Sequence, residues 1–203
     1  MSIWEETQYS SPLSAGYWRA AAADFRKPRV LAFAALMIAA CVALSYIPSI
    51  PIGDGGVRVT WGFLARSLCG LVGGPVTALV FGFAEDTISF FIHPTGAYFP
   101  GYALTTMLGT MIYALFLYRT KVTVVRIFWA KLCTNVLNVV LGSLWSAILY
   151  SKGYLYYMTT SLVKNVVMLP VQTAMLCFLL AALLPILGRM GFIPGGQRLR
   201  FYR

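Results

Sequence analysis

His93-Pro94-Thr95-Gly96-Ala97-Tyr98-Phe99-Pro100-Gly101-Tyr102-Ala103-Leu104 separates two apolar runs, each long enough to cross a membrane. A connector that only joined two helices would not need its two prolines, two glycines and three aromatics. Proline and glycine fix an irregular backbone, and the aromatics give that backbone flat faces. Such a loop at a membrane surface predicts a binding site for a flat ligand.

The runs on either side are typical of the chain. Hydrophobic residues make up 59% of it and charged residues 11%, against roughly 45–50% and ~25% in a soluble domain. Several windows exceed the length of about 18 apolar residues that reads as a membrane span. The expected fold is an all-α integral membrane protein, multi-pass in a cell membrane. Gly and Pro breaks divide it into six transmembrane helices at 29–47, 61–73, 75–92, 100–118, 124–150 and 160–188. The second is short for a span at ~1.5 Å per residue, so it is expected to tilt or to line a cavity. A polar extension, 1–28, precedes this domain of 29–188, and a basic tail, 189–203, follows it. Residues 1–29 carry no short apolar core with a cleavage site, so the first span is expected to act as its own insertion signal.

The net charge of +10 is topological. Arg19, Arg26, Lys27 and Arg29 precede the first span. Arg119, Lys121 and Arg126 lie between the fourth and fifth, and Arg189, Arg198, Arg200 and Arg203 follow the sixth. With six spans these fall on one side, which leaves Arg58 and Lys152 on the other. Both termini are therefore expected to be cytoplasmic, and loops 48–60, 93–99 and 151–159 face out. The basic side suits anionic lipid headgroups rather than nucleic acid. The cysteines (Cys41, Cys69, Cys133, Cys177) lie inside predicted helices without C-x-x-C spacing, so they read as small core residues, not as a metal site or disulfide framework. No ATP-binding loop, catalytic triad or metal motif is present, so no cofactor is expected.

Ionisable groups inside spans are costly and mark candidate sites. Five stand out: Arg66, Glu85, Asp86, Lys131 and Lys164. Lys131 is expected to snorkel to the cytoplasmic surface. Arg66 and Asp86 sit at similar depth, roughly 7–11 Å below the outer ends of their helices, where they could pair or meet a ligand. Asn135, Asn138, Gly142 and Trp145 share one face of a regular helix; so do Asn165, Met168 and Gln172, with Lys164 beside them, and Asp86, Ser89 and His93. These stripes predict a polar pocket open to the outside. His93 alone reads as a solvated loop residue. Ala35, Ala39 and Ala43 form a small-residue stripe on the first span, either a packing seam or a docking surface. Trp4, Tyr17 and Trp18 are expected on the membrane surface.

These residues resemble a known family, the folate-specific substrate-binding component (S component) of the energy-coupling-factor (ECF) vitamin transporters. The resemblance rests first on His93–Leu104, close to the family pattern F-P-T-G-x-Y-F-P-G-[FY]-T-L. Before it, Arg58, Gly62-Phe63-Leu64, Gly74-Pro75 and Asp86 fit. After it come Ile112-Tyr113, Leu117-Tyr118, Asn138, Leu144-Trp145, Ile148-Leu149-Tyr150, Lys164-Asn165 and Met168-Leu169-Pro170-Val171-Gln172. The resemblance covers about 29–188. It departs where the family commonly has phenylalanine at His93, threonine at Ala103, arginine at Ser161 and an uncharged residue at Arg66.

The resemblance implies the S-component fold and a bacterial vitamin uptake function. The chain would bind folate or a reduced folate from outside and associate with a transmembrane coupling protein and two ATPases. It would not itself be an enzyme. Ala35, Ala39 and Ala43 would be the docking surface for the coupling protein. Folate chemistry then assigns roles. Tyr98, Phe99 and Trp145 stack on rings. Asn138, Asn165 and Gln172 bond the pterin edge or shape the pocket, with Asp86 nearby. Arg58 and Lys164 meet the carboxylates near the outer mouth. The alternatives are an S component for another small vitamin or precursor, such as a pyrimidine or pantothenate, and a membrane-embedded enzyme using Asp86 and His93 as acid and base.

Overall fold

The computed structural model describes residues 14–47, 50–51, 58–92, 99–149, 153–197 and 199–201, with the backbone alone at 50, 51, 58 and 59. His93, Tyr98, Trp4 and the side chain of Arg58 lie outside what is described. Among the described residues the regular structure is helical apart from one pair of two-residue strands. Helix α1 spans Ala15–Phe25 and α2 spans Pro28–Ser45; strands β1 (Ile50–Pro51) and β2 (Arg58–Val59) come after them. The strands pair antiparallel, Ile50 opposite Val59 and Pro51 opposite Arg58. Next come α3 (Phe63–Ile92), α4 (Pro100–Leu117) and α5 (Val124–Leu137), then a π-helical turn (Asn138–Gly142), α6 (Ser143–Leu149) and α7 (Tyr154–Arg189).

Helix α3 is two helices. Gly74 has φ 74° and ψ −177°, outside any helix. Across the break, Arg66 and Glu85 meet at 3.0 Å. In one continuous helix 19 residues would separate them by about 28 Å. The chain therefore folds back at Gly74-Pro75, and limbs 63–73 and 75–92 run antiparallel. This is the break that the Gly73-Gly74-Pro75 sequence predicts. Among the described residues, five helical stretches are long and apolar enough to cross a membrane: Pro28–Ser45, Phe63–Ile92, Pro100–Leu117, Val124–Leu149 and Tyr154–Arg189. With α3 folded in two, they supply the six expected helical segments. The first limb of α3 reaches only about 16 Å, half the hydrocarbon thickness. It is buried in the protein rather than facing lipid.

Helix α3 is the centre of the bundle. Both of its limbs lie against α4, and glycine allows the close approach. A Cβ at Gly70 would stand 2.9 Å from the Ala114 nitrogen, and one at Gly82 only 2.6 Å from the Met107 Cα. The core runs through Leu68, Leu71, Val72, Phe81, Tyr113 and Leu117 to Leu176, Leu180 and Leu184 of α7. Leu36, Phe91, Val167 and Phe178 are exposed around the rim, an apolar belt suited to lipid.

The two ends of the bundle differ. At one end lie the β-hairpin and the start of α4; the basic segments gather at the other. There Asp24 accepts hydrogen bonds from the Tyr118 hydroxyl and from Arg119 Nη2, the latter at 2.9 Å, and it pairs with Lys27 at 2.7 Å. Burial, with Asp24 beside it, raises the Tyr118 phenol well above its ordinary range, so it stays a donor. Val124 donates to the Arg200 carbonyl at 2.9 Å, which ties the C-terminal segment to the α4–α5 connection.

Three expectations are corrected. Residues 15–25 form a helix, and Tyr17 is buried with its hydroxyl donating to the Ala114 carbonyl at 3.2 Å, not laid on the membrane surface. Trp18 beside it is exposed. The last helix begins at Tyr154, not 160, because no Gly or Pro occurs between Gly153 and Pro170 to interrupt it. The π turn at Asn138–Gly142 adds a residue to one turn and rotates α6 relative to α5. Asn135 and Trp145 therefore meet different neighbours instead of sharing one face.

Candidate ligand-binding site

Four helical segments converge on a polar cavity of about 50 Å³. Phe63 and Arg66 line it from the first limb of α3. Thr105, Thr106, Gly109 and Tyr113 line it from α4. Lys131 and Thr134 of α5 and Asn138 of the π turn close it. Helix α4 supplies four of these because 105, 106, 109 and 113 fall on one helical face. Gly109 leaves open space: a Cβ there would meet nothing within 4 Å.

The charges are arranged asymmetrically. Arg66 donates from Nε to Glu85 Oε2 at 3.0 Å and from Nη2 to Oε1 at 3.1 Å, a two-pronged pair. Ser89 adds a third donor to Glu85 at 3.4 Å. Glu85, not Asp86, is thus the partner of Arg66, which corrects the expected pairing. The fold-back at Gly74 sets Glu85 opposite Arg66. Asp86, one residue on, turns to α4 and accepts from Thr106 at 3.1 Å. Lys131 does not snorkel. It is 5% exposed, its ammonium lies 4.2 Å from the centre of the Phe63 ring, and it faces the cavity. The side chain points across the bundle instead of along it.

Above the cavity, towards the hairpin end, stands an aromatic group. Phe99 and Trp145 have ring centres 5.5 Å apart, and Phe99 packs edge-on to Tyr102 at 6.4 Å. The Trp145 indole donates to the Thr105 hydroxyl at 2.9 Å, and Tyr102 and Ser146 hydroxyls meet at 3.2 Å. Gly101 makes this possible. A Cβ there would stand 2.5 Å from the Phe99 ring and 2.6 Å from that of Trp145.

The sequence-predicted residues divide accordingly. Phe99 and Trp145 lie together over the cavity, Asn138 lines it, and Asp86 braces its Thr106 wall. Asn138 also donates to the Thr134 carbonyl at 2.8 Å. Asn165 lies behind the wall: its amide donates to Ser161 O at 2.8 Å, and its carbonyl accepts from Asn135 at 3.2 Å. Lys164 is half-buried beside it. Gln172 lies further down α7, with its buried Oε1 free of any partner among the described residues. Tyr98 and the Arg58 side chain are outside the described residues. Sequence reasoning missed Thr105, Thr106, Tyr113 and Thr134 as lining residues and misplaced Lys131. The Thr106–Gly109–Tyr113 spacing on α4, at i, i+3 and i+7, is the signal that would have found three lining residues.

No family model matches the chain. The folate transporter FolT of Clostridium novyi (strain NT) is 33% identical to it over 150 residues, which cover 72% of this chain and 85% of that protein. The folate transporter FolT of Leuconostoc mesenteroides is 28% identical over 153 residues, 71% of this chain and 83% of that one. A crystal structure of FolT bound with folic acid superposes with a TM-score of 0.68 at 26% identity, covering 75% of this chain and 93% of that one. The match reaches the helical bundle and its apolar spans, so this is a multi-pass membrane protein and a transporter subunit, not an enzyme. The chain belongs to the FolT family of folate transporters.

Proposed function

We propose that the chain is the high-affinity folate-binding subunit of an ATP-driven ECF uptake transporter, with both termini and the basic end in the cytoplasm. The observation that carries this reading is the Phe99–Trp145 pair standing over a polar cavity, in a chain of this family. Phe99, Trp145 and Tyr98 would stack on the rings. Asn138 and the α4 hydroxyls would bond the pterin edge, and Asp86, Asn165 and Gln172 would shape the wall. Arg58 and Lys164 would meet the glutamate carboxylates.

A cavity of about 50 Å³ is far below the ~300–1,000 Å³ of a small-molecule site. Folate would enter by parting Phe99 from Trp145 and freeing the indole from Thr105. Ala35, Ala39 and Ala43 are exposed along α2. Beside them, Ala32, Leu36 and Met37 border an apolar groove of about 400 Å³ against the end of α7. This face suits close docking of the coupling protein.

Titration of the detergent-purified chain with folate, followed by tryptophan fluorescence, tests the reading. Saturable quenching is expected, competed by a reduced folate and not by thiamin or pantothenate. Competition by pantothenate or a pyrimidine vitamin instead would assign the subunit to another vitamin.

A further inference from the structure

Lys131 sits at the floor of the cavity, about 10 Å from the basic end of α5. It is 5% exposed, and the face of Phe63 covers its ammonium at 4.2 Å. Among the described residues no carboxylate pairs with it. The other cation lining the cavity, Arg66, is already neutralised by Glu85. A buried ammonium without a counter-charge is costly, and the face of an aromatic ring compensates only in part. Its donors face the polar cavity.

We propose that Lys131 reads the oxo-bearing edge of the ligand's heterocycle. The inference rests on the folate reading above. A folate tail carries two carboxylates, and a single lysine at the floor would leave one of them buried and unpaired. The tail therefore belongs at the hairpin end and the flat heterocycle below it. One edge of the pterin presents the 2-amino and N3–H donors; the ring nitrogens N1, N5 and N8 accept, and the carbonyl O4 beside N5 is the strongest acceptor. An ammonium has three donors and no acceptor, so it selects the O4–N5 edge. In the 4-amino analogue a donor replaces O4 and is set against the cation, a mismatch that leaves a buried group unpaired.

Equilibrium titration of the purified full chain with folic acid, 4-aminofolic acid and pteroic acid tests this. The native chain is expected to bind folic acid at least about tenfold tighter than the 4-amino analogue. Lys131→Met, of similar length but neutral, should lose about ten- to a hundredfold in folic acid affinity. It should change the analogue's affinity by under about threefold, so that discrimination collapses. Lys131→Arg should restore most of the discrimination. Pteroic acid, which lacks the glutamate, should keep the same dependence on Lys131. An equal loss for both pterins in Lys131→Met would mean a structural role and overturn the proposal. Loss of the dependence with pteroic acid would overturn it too, by assigning Lys131 to a carboxylate. Absence of any preference in the native chain overturns it whether or not the variants fold. Folic acid binding that Lys131→Met leaves unchanged sinks this inference alone, whereas no folic acid binding by the native chain sinks the folate reading with it.

Discussion

Glu85 is held by the two prongs of Arg66 and by Ser89, and its side chain keeps only 4% of its exposure. Removing its charge leaves the Arg66 guanidinium facing the cavity without the carboxylate that holds it, and with only the more distant Asp86 to offset its charge. Breaking a buried pair from one side costs about 3–5 kcal/mol. Arg66 retains 28% exposure, so Glu85→Gln is expected near the low end, about 3 kcal/mol. Asp86, with one bond to Thr106, should matter less: Asp86→Asn is expected to cost under about 1.5 kcal/mol. Thermal unfolding of the two variants in detergent separates them, and a larger loss for Asp86→Asn would reverse the assignment of partners. The sequence shows that 85 and 86 are both acidic and at similar depth, but not which of them faces Arg66. Adjacent helical residues differ by ~100° in direction, and only the geometry of the fold-back decides between them. Lys131 was illegible for the same reason. Distance from a helix end suggests snorkelling, while the direction of the side chain depends on which helix packs against it.

At the scale of the element, the fold-back in α3 is the feature most exposed to a single substitution. Gly74 combines φ 74° with ψ −177°, a region that only glycine occupies freely. A Cβ there would also stand 2.9 Å from the Tyr118 ring, which is itself fixed by Asp24 and Arg119. Gly74→Ala is therefore expected to lose about 2 kcal/mol or more from backbone strain and the clash together. Gly109→Ala is the contrast. It lies mid-helix with nothing within 4 Å, so stability should hold or rise by about 0.5–1 kcal/mol. Its methyl would narrow the cavity, and folate affinity should fall. Detergent melts and folate titration on both variants check this; equal melting temperatures would refute the role of the Gly74 conformation. The break was legible because Gly-Gly-Pro punctuates an apolar run. The π turn at Asn138–Gly142 was not, since Asn-Val-Val-Leu-Gly carries no residue that forbids a regular helix. The turn comes from packing: it lets Asn135 tie α5 to α7 while Trp145 reaches Thr105 of α4.

At the scale of the whole molecule, bilayer thickness makes the spans legible. The cavity was only half legible. Phe99 and Tyr102 of its roof come from one contiguous stretch, but Trp145 and the walls are drawn from segments distant in sequence, and the wall residues were ranked by polarity alone. The proposed docking surface stands between these cases. Spacing marks Ala35, Ala39 and Ala43 as a stripe, yet says nothing of whether another helix of the same chain covers it. In the structure all three are exposed, while Ala34 on the opposite side of α2 is buried. That contrast separates folding from coupling. Ala39→Trp adds bulk at a position that no described residue covers, so folate affinity of the isolated subunit is expected to stay within about twofold, under ~0.5 kcal/mol. A helix of the proposed coupling protein could then no longer approach closely, and folate uptake by cells carrying the coupling protein and both ATPases should be lost. Ala34→Trp, by overpacking the interior, should damage both readouts by about 1–3 kcal/mol of lost stability. Uptake that survives Ala39→Trp would remove α2 from the docking surface. Loss of folate binding in Ala39→Trp would mean that this face serves the pocket and not the partner.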